Sequence, residues 1–153
     1  SLLLLGLFIS SPKAFAKTPP EMRNQDEIVI SQDMHGQDLN GYEFVKFDLR
    51  GVDLSESDLR GAVFNNSLLE GADLKGADME DVVAFASIFD EADLREVNFT
   101  NALLMESSFD DALIDGSDFT NAVINRAQQK KLCARAEGTN SSSGVSTSYS
   151  LGC

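Results

Sequence analysis

The chain has 153 residues, 42% of them hydrophobic, with 25 acidic against 12 basic side chains and a formal charge of −13. That length holds one domain with a modest core, and the hydrophobic share separates it from a disordered acidic tail. The acidic balance argues against nucleic acid as a partner, because phosphate binding needs Lys and Arg, and it would be repelled by anionic membrane surfaces.

The first predicted element is an export signal over residues 1–16. Leu2 to Ile9 (LLLLGLFI) is an apolar run too short to span a bilayer. Ser10-Ser11-Pro12-Lys13 follows, and then Ala14-Phe15-Ala16, an A-x-A cleavage site. The mature chain is expected to begin at Lys17, with no stable membrane anchor once the signal is removed. The basic region of such a signal would precede Ser1. The competing reading, an apolar N-terminal helix of the fold, lacks a visible polar face. Residues 17–31 form a lead-in or cap.

Residues 32–125 repeat with period five. Every fifth residue from Met34 to Ile124 makes 19 positions, and 18 carry a large apolar side chain; Ala84 is the exception. Two residues before each centre, from Val52 onward, stands Ala, Ser or Val, and two residues after, Gly recurs at 36, 41, 51, 61, 71, 76 and 116. On a helix this spacing would scatter the apolar set around the surface, and on a flat strand it would alternate faces. It places centres and small residues together only if the chain turns a corner every five residues, with glycine suited to the turn.

Gly71-Ala72-Asp73-Leu74-Lys75-Gly76-Ala77-Asp78-Met79 resembles the A(D/N)LxG consensus of the pentapeptide-repeat family. The resemblance implies an all-β solenoid, a right-handed quadrilateral β-helix of about five coils, four pentads per coil, at a rung spacing of about 4.8 Å.

Twenty residues per coil let the outside be read as columns. Asp38, Asp58, Asp78, Asn98, Asp118 and the neighbouring Asp33, Asp53, Asp73, Asp93, Leu113 form two acidic sides. Glu43, Val63, Val83, Leu103, Val123 and Asp48, Leu68, Ile88, Ser108 form the other two. Phe85 and Met105 join the third side, so Val63, Val83, Phe85, Leu103, Met105 and Val123 make a contiguous apolar stripe, a candidate interaction face. The alternative is intramolecular cover by Ile28-Val29-Ile30 or by tail residues Val145, Tyr149 and Leu151; a homodimer face is a third reading. The Asp columns read as turn residues accepting backbone N–H groups, or as stacked carboxylates that sense pH or bind Ca²⁺. At Ala84, either Phe85 swings inward to fill the gap or it stays outside.

Residues 126–153 form a C-terminal helix and tail. Asn125 to Gly138 reads as a helix with Asn125 as N-cap and Gly138 as stop. Residues 32–125 carry 21 acidic and 5 basic side chains, net −16, whereas residues 126–137 carry four basic and one acidic, net +3, so the basic helix is expected against the acidic body. The Ser/Thr/Gly-rich tail that follows would be loose alone. Cys133 and Cys153 bracket it and are expected to pair in an exported chain; a free thiol or an intermolecular bridge is the alternative. Leu132-Cys133-Ala134-Arg135-Ala136-Glu137-Gly138-Thr139-Asn140 with Ser150-Leu151-Gly152-Cys153 resembles the tails of pentapeptide-repeat proteins of the thylakoid lumen. That resemblance implies the lumen of a chloroplast or cyanobacterial thylakoid, with a bacterial periplasm as alternative.

No catalytic constellation, metal set or cofactor motif is visible, and His35 is the sole histidine. The reading is a non-enzymatic lumenal interaction or scaffold protein with an unidentified protein partner or a second copy of itself. The alternatives are an acidic DNA mimic that binds gyrase or topoisomerase, and a pH- or redox-responsive regulator.

Overall fold

The computed structural model describes residues 30–153. The export signal, the lead-in up to Val29 and the Ile28-Val29 part of the suggested cover lie outside the described residues.

Fifteen parallel bridges join residues twenty apart, from Asp33↔Asp53 to Leu103↔Val123. Each is isolated: a side contributes one bridged residue per coil before the chain turns, so no continuous strand forms among the described residues. The ladder runs both ways. Leu54 N–H donates to Asp73 O at 2.7 Å, and Asp53 N–H donates to Gln32 O at 2.9 Å. Every position two after a centre, from Gly36 to Asn121, has positive φ, and eleven of these are not glycine. A non-glycine residue there costs about 1–2 kcal/mol, less for Asn or Asp. Burying one large apolar centre per corner returns about 1.5–3 kcal/mol, which is why Glu, Lys and Ala are tolerated at the turns.

The centres from Met34 to Phe119 are buried and stack in columns. Phe44 lies on Phe64 at 4.8 Å between ring centroids, Phe89 on Phe109 at 5.1 Å, and Phe99 on Phe119 at 5.1 Å. The small inward positions are also buried. Ser67, Ser87 and Ser107 form one column whose hydroxyls donate to the carbonyls of Phe44, Phe64 and Ala84. The same hydroxyls accept the N–H groups of Phe47, Ser67 and Ser87 at 3.0, 3.3 and 3.0 Å. Serine fits because it is small enough for the corner and satisfies both polar neighbours, which a buried hydroxyl requires.

The helix is shorter than its sequence suggests. Helix α1 is Arg126–Cys133, and Gly138 lies beyond it. Asn125 holds the N-cap position but makes no side-chain cap; instead its Oδ1 accepts Glu106 N–H at 2.9 Å and its Nδ2 donates to Glu106 Oε1 at 3.3 Å. Leu132 of α1 is buried on the core, and Lys131 reaches Asp110 at 3.1 Å. A four-residue helix α2, Thr147–Ser150, follows, capped by the Ser146 side chain. Cys133 and Cys153 form a disulfide across twenty residues.

The tail, loose in isolation, is seated by specific bonds. Asn140 is buried; its Nδ2 donates to Gly116 O at 2.9 Å, and its Oδ1 accepts Ser142 N–H at 3.0 Å and Ser143 N–H at 2.9 Å. Glu96 accepts both Ser141 N–H and its hydroxyl at 2.8 Å. Glycine is required at 138, where φ is +80° and an added Cβ would stand 2.9 Å from Gly116 N.

Candidate interaction face

A residue flanking a centre points outward, and twenty-residue stacking aligns these residues into columns. The bridges Val63↔Val83, Val83↔Leu103 and Leu103↔Val123 put four stripe residues in one column. Beside it, Ala86 N–H donates to Met105 O at 3.1 Å, which stacks the Phe85–Ala86 corner on the next coil. Val63 and Val83 are half-buried, while Phe85, Leu103, Met105 and Val123 are exposed. All six residues therefore share one side of the prism.

Phe85 stays outside. It is 45% exposed, whereas Ala84 beside it is fully buried. The coil that holds Ala84 carries large side chains elsewhere on its inner surface. Phe89 and Phe99 meet edge to face across it at 6.5 Å. Val82 and Val97 stand where the coil below has Ala62 and Ala77 and the coil above has Ala102 and Ser117. Phe85 N–H is held by Asn65 Oδ1 at 3.0 Å, which fixes the backbone from which the ring projects.

The rim of the stripe is mostly uncharged. Asn65, Asn66, Ala86, Asn101 and Asn121 border it; the nearest charges by register are Glu43, bridged to Val63, with Asp81, Glu106 and Lys46 on the borders. Asn121 Nδ2 donates to Asn101 Oδ1 at 3.4 Å across two coils.

The tail does not cover this side. Its anchors are Glu96, Gly116 and Phe119, the last donating its N–H to Ser150 Oγ at 2.9 Å. They lie at the acidic sides and the C-terminal edge. Tyr149 is 82% exposed, and Leu151 is buried near Gln129, which donates to its carbonyl.

The Asp columns act as turn acceptors. Oδ1 of Asp33, Asp38, Asp48, Asp53, Asp58, Asp73, Asp78 and Asp93 each accepts the backbone N–H two residues on. Asn98 and Asp118 do the same for Thr100 and Thr120. The side chain two residues on adds a second bond, from Arg50, Ser55, Arg60, Arg95 or Thr120. At five of these carboxyls the pKa moves down in consequence. Side-chain bonds from Arg50 and Arg60 hold Asp48 and Asp58 at about 2, and those from Ser55 and Arg95 lower Asp53 and Asp93. At Asp118 burial pushes upward, but bonds from Ser143 and Thr120 outweigh it. A pH sensor working between 7 and 5 needs the opposite shift. Among the described residues, no three His, Cys, Asp or Glu side chains converge on a point that could hold a metal ion.

Comparison with known proteins bears on most of the solenoid. The pentapeptide-repeat family model matches residues 48–83 and 87–127 in eight copies. The chain belongs to the pentapeptide-repeat family. Membership carries the right-handed quadrilateral β-helix with it. A solved pentapeptide-repeat protein from the Arabidopsis thaliana thylakoid lumen is 34% identical, covering 78% of this chain and 90% of that one, with a TM-score of 0.34. The pentapeptide-repeat protein Rfr23 from the cyanobacterium Cyanothece 51142 is 22% identical over 65% of this chain and 68% of its own, TM-score 0.41. QnrB1, a plasmid-mediated fluoroquinolone resistance protein, is 22% identical over 61% and 58%, TM-score 0.44. A search of the curated proteins found no match.

In family terms, the stripe departs from the consensus. The position before each centre is Asp or Asn in the consensus, and here it is Val63, Val83, Leu103 and Val123. Sequence reasoning missed three residues that close the C-terminal end. Arg135 lies beyond α1 and donates to the carbonyls of Phe109 and Ala112; Asn140 and Glu96 seat the tail. Their only sequence signal is Gly-Thr-Asn at 138–140, a turn signature that does not say what the turn contacts.

Proposed function

We propose that the protein is a non-enzymatic pentapeptide-repeat module of the thylakoid lumen that docks a protein partner through the apolar side carrying Val63, Val83, Phe85, Leu103, Met105 and Val123. In this reading a solenoid of about five coils is the rigid support, and α1 with its disulfide-tethered tail closes the C-terminal end. The carrying observation is Phe85, which stands in solvent although a small buried residue lies next to it. The repeat requires no apolar residue at that position. The lumenal location is supported by the A-x-A signal in the sequence and by the 34% identity to a thylakoid lumen protein. The gyrase-binding alternative rests only on the net charge of −16 over residues 32–125, and the pH-responsive alternative is opposed by the lowered pKa of Asp48, Asp53, Asp58, Asp93 and Asp118.

The test places a photo-crosslinking side chain at position 85 and, separately, at position 113. Leu113 is equally exposed but lies on the opposite side of the prism. In lumen extract, a discrete adduct from position 85 and none from position 113 supports docking. Equal labelling at both positions, or none at either, removes it.

A further inference from the structure

We infer that the occupant of the apolar side is a cationic amphipathic α-helix of three to four turns, lying along the solenoid axis; this rests on the docking reading above. Val63, Val83, Leu103 and Val123 form one ridge, and Phe85 and Met105 form a second. Between them the centre residues point inward, and the two ridges run along one side of the solenoid. Its rungs recur at about 4.8 Å, close to the roughly 5.4 Å pitch of an α-helix, so the two stay in step to within about 2 Å over three rungs. The side is on the order of 10 Å wide and 20 Å long, a footprint that one helix about 10–12 Å in diameter fills. It is small beside the roughly 800 Å² per partner of a standard interface between two globular proteins. That area, and the mutual repulsion of two chains of charge −13, argue against a second copy.

Charge chooses among helices. The six stripe residues are uncharged, while Glu43 begins their column beside Val63, Asp81 lies on one border, and Glu106 lies on the other between Lys46 and Arg126, on a body of net −16. A helix with an apolar stripe and Lys or Arg on its flanks is steered toward this body by its net charge and meets Asp81 on one border and Glu43 and Glu106 toward the two ends of the stripe. The chain contains its own precedent: α1 (RAQQKKLC) buries Leu132 on the core while Lys131 reaches Asp110 at 3.1 Å.

The test titrates the folded protein with a labelled Leu/Lys peptide of about fourteen residues with helical amphipathic spacing, read by fluorescence anisotropy at about 150 mM salt. The control peptide has the same composition in an order without that spacing. Expected results are affinity at least about tenfold higher for the amphipathic peptide and a loss of about tenfold on Phe85→Ser/Met105→Ser, a change that leaves net charge untouched. Leu113→Ser leaves binding unchanged. Phe85→Ser alone, with its melting curve, covers the case in which the double variant is unfolded. Equal binding of the control peptide, or full affinity in both face variants, overturns the proposal. So does gel filtration showing a dimer that dissociates in the face variants, because the occupant is then a second copy. If the peptide fails while the adduct at position 85 persists, docking stands and the helix does not.

Discussion

Arg135 donates to the carbonyl of Phe109 from Nη2, and to that of Ala112 from Nε at 3.3 Å. The Ala112 carbonyl is where a further coil would add an N–H, as Leu113 N–H does to Ala92 O at 3.0 Å one coil earlier, whereas the Phe109 carbonyl already accepts Ala112 N–H at 3.2 Å; the guanidinium therefore replaces one missing ladder donor and adds a second bond at Phe109. Ladder edges left open are costly in water and adhesive to other chains. Arg135→Ala is expected to destabilise by about 1–3 kcal/mol, the cost of leaving the Ala112 carbonyl without a donor, measured by urea unfolding. Arg135→Lys should recover only part, because an ammonium cannot span both carbonyls as the guanidinium does.

Ala84→Leu tests whether the coil is already full. The opposed rings of Phe89 and Phe99 and the bulk of Val82 and Val97 are expected to take the space a larger centre would need. The substitution should cost about 1–3 kcal/mol through overpacking, although Leu is the common residue at this position elsewhere in the repeat. A gain in melting temperature would mean that the space beside Ala84 is empty.

The lowered carboxyl pKa values set the acid limit. A carboxylate depressed from 3.8 to about 2 adds stability that is fully present above 3.8 and is lost as pH falls toward 2. The melting temperature should therefore be flat from pH 7 to 5 and fall below about pH 4. The Arg50–Asp48 pair is open to solvent, so its share of that fall is shallow and shrinks with added salt. Scanning calorimetry across this range reads both effects, and a transition between pH 7 and 5 would contradict them.

Reduction of Cys133–Cys153 opens a loop of twenty residues. Closure of such a loop is worth roughly 3 kcal/mol, so dithiothreitol should lower the melting temperature by on the order of 10 °C. Cys153→Ser should match the reduced protein. The Asn140 and Glu96 bonds do not depend on the disulfide, so amide exchange should accelerate at Ser150 to Cys153 more than at Asn140 to Ser143.

Most of the architecture was legible because a residue's direction depends on its place within five, and its neighbours on its place within twenty. The 19-position register alone distinguishes inward from outward residues, sorts acidic sides from apolar ones, and assigns the stripe to one side. The paired turn bonds of the Asp columns follow from the same local geometry. Tertiary structure decided what depends on distant chain segments. That Phe85 stays outside beside a fully buried Ala84 depends on packing around the whole coil, which no local pattern weighs. The end of α1 at Cys133 was set where Arg135 leaves the helix for the carbonyls of Phe109 and Ala112. The tail's seat on Gly116 and Glu96 spans 24 and 45 residues, and a polar, glycine-rich stretch carries no periodic signal of where it will dock.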